Sequence, residues 1–167
     1  KAFQQPNISL FYIIPTFQNP SGFTTSAQKR RRVYELAQQY DIIVLEDNPY
    51  GEVRFGGEWI APIKARDKDG RVIYMGSFSK TMAPGLRIGF IVAPKAIYPK
   101  LLQAKQAADL HTPGFNQRVV AEVIKDGFLD RHVPTIRALY HAQRDAMLAA
   151  LARHMAGLDV QWTQPVG

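Results

Sequence analysis

The chain has no cysteine in its 167 residues, which excludes a disulfide framework and a thiolate metal site and permits a reducing cytoplasm. It has no apolar run near the roughly 20 residues that span a bilayer. Its longest runs, such as Ile88 to Ala93, have strand length. The opening stretch, Lys1 to Asn7, lacks the apolar core of a signal peptide. Internal repeats and low-complexity segments are absent. The four histidines, His111, His132, His141 and His154, have no carboxylate at a recognisable ligand spacing, so no metal site is expected. Acidic residues are the minority, 14 against 21 Lys and Arg, for a net charge of +7. Part of that excess is the run Lys29-Arg30-Arg31-Arg32, read as the solvated side of a helix rather than a nucleic-acid patch.

A 46% hydrophobic and 21% charged composition suits a soluble globular chain, long enough for one domain and the start of a second. Leu10 to Ile14 reads as a buried strand, and Pro15 to Gly22 as a loop. Thr25 and Gln28 match a capping box. Val33, Leu36, Ala37 and Tyr40 follow at helical spacing, predicting an amphipathic helix from Thr24 to Tyr40. Ile42 to Leu45 is a second strand, ending at Glu46-Asp47, and Asn48-Pro49 restarts the chain as a turn or short helix. Gly56 to Gly70 is polar and irregular. Val72 to Met75 and Ile88 to Ala93 are the third and fourth strands. Helices are predicted from Pro94 to Leu110, from Pro113 to Lys125, and from about Leu129 to Met155, the last with Ile136, Tyr140, Met147 and Leu151 on one stripe.

Strands alternating with helices indicate an α/β layered domain with a mostly parallel sheet. Ligands bind such sheets beyond the carboxyl ends of the strands. Asn19, Asp47 and the loop Ser77 to Lys80 all follow predicted strands, so three kinds of chemical group should converge on one edge. The segment Gly76-Ser77-Phe78-Ser79-Lys80, with Arg87 seven residues on, combines hydroxyl donors, a fixed cation and an amine. Those are the groups that a phosphate and a Schiff base require.

Three ordered stretches carry a family resemblance: Pro15 to Gly22, Glu46-Asp47-Asn48-Pro49-Tyr50, and Gly76 to Lys80 continuing through Arg87-Ile88-Gly89. The sequence resembles the class I/II aminotransferases, pyridoxal-phosphate enzymes of fold type I, within the group that includes aminoadipate, kynurenine and aromatic aminotransferases. The resemblance implies a three-layer α/β/α large domain, partial here, over residues 1–128. It implies a linker helix and the start of a small domain over 129–167. It implies transfer of an amino group from an amino acid to a 2-oxo acid, with 2-oxoglutarate the expected acceptor. Lys80 would carry pyridoxal 5'-phosphate as a Schiff base and shuttle the α-proton. Asp47 would pair with the pyridine nitrogen, Asn19 and Tyr50 would bond the phenolic oxygen, and Ser77, Ser79 and Arg87 would hold the phosphate. A cytoplasmic homodimer is implied, with no membrane or nucleic-acid partner. Burial of Lys80 and a nearby cationic ring would favour its neutral amine.

Family members are more than twice this length. Neither their N-terminal phosphate loop and stacking aromatic nor the arginine that grips the substrate carboxylate is found here. Tyr140 and Arg144 on the linker helix are poor substitutes. The chain also begins without methionine and ends in what reads as the entry to another element. An internal fragment is therefore expected, inactive by itself. Two alternatives stay open: an aminotransferase-like sensor of a winged-helix transcription regulator, and a lyase or decarboxylase of the same fold.

Overall fold

The computed structural model describes residues 3, 5 and 7–167. Lys1, Ala2, Gln4 and Pro6 lie outside the described residues, and with them part of the stretch read above as lacking a signal-peptide core.

Four apolar segments pair into one sheet in the order β1 (Leu10–Ile13), β2 (Ile43–Asp47), β3 (Val72–Ser77), β4 (Gly89–Val92). The first three run parallel, and β4 returns antiparallel to β3 with Ser77 opposite Gly89. Phe78 to Ile88, the segment that contains Lys80, is thus the loop joining an antiparallel pair. The expected α/β architecture with a mostly parallel sheet is present.

Helix α1 (Ala27–Gln39) crosses between β1 and β2. Its cap is Ser26, whose hydroxyl accepts from Lys29 N–H at 3.3 Å. The capping box expected at Thr25 and Gln28 does not form. Thr25 N–H donates instead to Pro15 O at 2.8 Å, and Thr24 Oγ1 accepts from Phe17 N–H at 3.3 Å. These threonines tie off the loop before the helix begins.

The buried face of α1 is Arg30, Tyr34 and Ala37; of the stripe expected through Val33, Leu36, Ala37 and Tyr40 only Ala37 is buried, so the face is rotated from that expectation. Tyr34 and Ala37 pack with Val44, Ile63 and Val72 against one face of the sheet. Burying each Ile or Val there contributes about 1.5–3 kcal/mol. Tyr34 keeps its polar end satisfied: its O–H donates to Asp69 Oδ1 at 2.7 Å and accepts from Lys68 N–H at 3.0 Å. Ile63 sits in a 3-10 turn (Ile63–Arg66) inside the stretch read as irregular, and is fully buried.

Arg30 overturns the reading of the basic run as solvated throughout. It is 1% exposed, and its guanidinium donates only to loop acceptors: Thr25 O, Pro15 O and Thr16 Oγ1 at 2.9 Å each, and Ile60 O and Ala61 O at 3.2 Å each. The fully buried Glu46 is satisfied in the same way, accepting from Ile63 N–H and Lys64 N–H at 2.8 Å each. Two opposite charges are buried in one core, Arg30 bonded to backbone carbonyls and the Thr16 hydroxyl and Glu46 to backbone N–H groups, with no hydrogen bond between them.

Beyond the sheet follow α2 (Tyr98–Asp109), α3 (Gly114–Ile124) and α4 (Phe128–His154). The stripe expected on α4 is only partly covered, with Tyr140 39% and Met147 62% exposed. His141 on α4 does face a carboxylate, Asp145, at 3.5 Å, and stacks on Phe55 at 5.2 Å. Among the described residues no helix is long and apolar enough to cross a membrane, and no cluster of three or more His, Asp or Glu could hold a metal ion.

Candidate functional site

The carboxyl ends of β1, β2 and β3 open onto one edge of the sheet. Each supplies one part of the candidate site, as expected for a parallel α/β sheet.

After β1 the chain turns through Phe17, which has φ of 49° and is 4% exposed. The Gln18 side chain holds the next turn, accepting from Ser21 N–H at 3.1 Å. This loop carries Asn19, whose amide donates to the Tyr50 hydroxyl at 3.4 Å. Two candidate residues 31 positions apart are thereby brought together.

Asp47 ends β2. One of its oxygens, Oδ2, accepts the phenol O–H of Tyr12 at 2.7 Å. Tyr12 was not among the residues picked from the sequence. Its hydroxyl is pushed up to about 12 by the bond to Asp47, with burial and the Asp47 charge adding to it.

After β3, Ser79 N–H donates to Ser77 Oγ at 3.1 Å, tightening the turn into the lysine loop. Thr81, just beyond, is buried. Lys80 Nζ lies 6.0 Å from the centre of the Tyr50 ring, which joins the lysine to the Asn19–Tyr50 pair. Lys80 itself is exposed, so the expected burial is not supplied by the described residues. Arg87 has φ of 53°, is exposed, and donates to Pro84 O at 3.4 Å. The structure does not bring its guanidinium into hydrogen bonding with Ser77 or Ser79.

A cavity of about 460 Å³ opens beside Lys80 and Tyr50 and is walled by Tyr140, Gln143 and Arg144 of α4 and by Pro165. Tyr140 and Arg144, read above as poor substitutes on the linker helix, therefore do line a cavity beside Lys80. Arg144 is already engaged there: it donates to Pro165 O and to Asp145 Oδ1, and lies 5.0 Å over the Phe55 ring. The tail closes on the same region, Phe55 N–H and Gly56 N–H each donating to Val166 O at 3.0 Å. A second cavity of about 470 Å³, between Tyr74, Phe90 and the start of α4, contains only Ser77 of the candidate residues.

An amine, a carboxylate, a paired amide and phenol, and a serine turn lie on one edge of a mostly parallel α/β sheet, the edge at which such sheets bind ligands. The chain belongs to the aminotransferase class I and II family, whose sequence profile matches residues 4–166. It is 51% identical over 160 residues to aromatic-amino-acid aminotransferase 1 of Thermococcus litoralis, covering 96% of this chain and 38% of that protein. It is 35% identical over 158 residues to the uncharacterized HTH-type transcriptional regulator YisV of Bacillus subtilis, covering 95% of this chain and 32% of that protein. Its fold matches Pyrococcus horikoshii kynurenine aminotransferase, solved in complex with PMP, KYN as substrates and KYA as products, with a TM-score of 0.90 and 47% identity. That match covers 95% of this chain and 39% of the solved one. The chain thus spans about two fifths of the length of curated relatives it matches.

Proposed function

We propose that this chain is the central part of a pyridoxal-phosphate-dependent aminotransferase that moves an amino group from an amino acid to a 2-oxo acid. The convergence of Lys80, Asp47, Asn19 and Tyr50 on one strand-end edge, in a chain of this family, carries the reading.

The residues present fit the cofactor. Asp47 offers an oxygen, Oδ1, that accepts no hydrogen bond from the described residues, suited to a ring N–H. Asn19 and Tyr50 place two polar groups within 3.4 Å of each other, able to bond one phenolic oxygen between them. Ser77, Ser79 and Arg87 are the donors on the lysine loop for the phosphate. When bound, the pyridine ring supplies an electron sink for the pair left as the substrate α C–H bond breaks. Lys80 Nζ takes that proton and returns it, acting as general base and then general acid. Asp47 keeps the ring nitrogen protonated by holding a negative charge against it. The cavity beside Lys80, walled by α4, receives the substrate side chain.

Residues 1–128 are assigned to the cofactor-binding large domain and 129–167 to the linker helix and the start of the small domain. The intact enzyme is proposed to be a cytoplasmic homodimer. Similarity to the HTH-type regulator supports a second reading, a sensor domain that binds the cofactor without turnover.

Borohydride reduction of the intact protein, followed by peptide mapping, tests the proposal. A pyridoxyl group on Lys80 is expected, together with consumption of an amino donor. Labelling without turnover for any donor would favour the sensor. No label after adding pyridoxal phosphate would refute both readings. Lys80→Ala should abolish labelling and activity, and retained activity would count against the assignment.

A further inference from the structure

We propose that Tyr12 is a positioning residue for Asp47: its phenol fixes one carboxylate oxygen and so presents the other to the cofactor's ring nitrogen. The inference rests on the pyridoxal-phosphate reading above.

The sheet register sets the geometry. Tyr12 pairs with Leu45 across the β1–β2 ladder, and Asp47 lies two residues further along β2 on the same face. A long side chain reaches such a diagonal neighbour. At 2.7 Å, the bond to Oδ2 has the length of a well-formed hydroxyl hydrogen bond. An aspartate carboxyl rotates broadly about its last torsion. Anchoring Oδ2 fixes its plane, and Oδ1 accepts nothing from the described residues.

Core packing does not account for a tyrosine at this position. Tyr12 is 50% exposed, whereas Phe11 and Ile13 on either side pack against the core cluster. Its hydroxyl bonds Asp47 alone among the described residues. The raised hydroxyl pKa keeps the phenol a donor throughout the neutral range.

A double-mutant cycle on the intact protein separates positioning from general support. The dissociation constant of pyridoxal phosphate is measured for wild type, Tyr12→Phe, Asp47→Ala and the double variant. With Asp47 present, loss of the phenol should weaken binding about 5- to 20-fold. Without Asp47, the same change should weaken it less than about 2-fold. Equal losses in both backgrounds, or no loss in either, overturn the inference. Tyr12→Leu gives the same reading should the phenylalanine variant not fold. Wild-type protein that takes up no pyridoxal phosphate overturns the functional reading and this inference together. Wild-type labelling at Lys80 with unchanged affinity in Tyr12→Phe overturns the inference alone.

Discussion

Replacing Arg30 by methionine keeps an unbranched side chain on α1 and removes every one of its donors. The guanidinium joins the helix to two separate loops, through Pro15, Thr16 and Thr25 on one side and Ile60 and Ala61 on the other. The two contacts made by Nη1 are the long ones, at 3.2 Å, and count together as one. At about 1 kcal/mol net for each of the four resulting interactions, their loss costs about 4 kcal/mol. Relief of the buried charge offsets about 1–2 kcal/mol. Burial already works against the guanidinium, pulling its pKa below the ordinary arginine value. A net loss of about 2–3 kcal/mol is therefore expected. Urea unfolding of the intact protein at constant m value would measure it.

The same variant carries a pH signature. Burial raises the Glu46 pKa above the ordinary carboxylate value, while hydrogen bonds from Lys64 and Ile63 and the Arg30 charge act to lower it. Removing Arg30 raises it further. A carboxyl that binds its proton more tightly when folded than when unfolded loses stability as pH rises through that interval. The Arg30→Met loss should accordingly be larger near pH 8 than near pH 5. A loss below about 1 kcal/mol, or one identical at both pH values, would refute the account of Arg30 as a buried tie supporting Glu46.

Two further outcomes are expected. Glu46→Gln replaces one accepting oxygen by a donor, leaving Ile63 or Lys64 N–H unpaired in the core, and should cost about 1–3 kcal/mol by the same urea assay. A neutral result would mean that the 3-10 turn finds another acceptor. Asp67 lies below the ordinary carboxylate value: burial opposes this, but the Lys64 ammonium and the Arg71 and Val72 N–H groups outweigh it. Its stabilising contribution is complete above the ordinary carboxylate value and is lost as pH falls through its lower, folded one. An acid titration of unfolding free energy should therefore fall less steeply for Asp67→Asn than for wild type, and parallel curves would contradict this.

The positions of the four strands, the four α-helices and the strand-end loops were legible from local pattern, whereas the 3-10 turn at Ile63–Arg66 was not, and β1, read as a buried strand, is half exposed. Apolar runs of strand length bounded by Pro, Gly or Asp mark β1 to β4, and helical spacing marks α1 to α4. Within those elements the pattern settled less. The rotation of α1 differs from the stripe seen in sequence because Arg30 and Tyr34 carry polar ends that the loops can satisfy. Hydrophobicity alone assigns such residues to solvent. The cap moved from Thr25 to Ser26 because Thr25 N–H is taken by Pro15 O, a contact made across the loop.

The sequence by itself determined which chemistry-bearing residues follow which strands, and hence the family and the convergence of Asn19, Asp47 and Lys80 on one edge. Order along a parallel sheet is enough for that, since each strand's end points the same way. Only the tertiary structure decided that Tyr12 reaches Asp47, that Tyr140 and Arg144 wall the cavity beside Lys80, and that Arg30 is buried. Those facts depend on strand register, on how far α1 is rotated, and on the path of a tail more than eighty residues beyond Lys80. All three are set by contacts between distant segments, which no local period records.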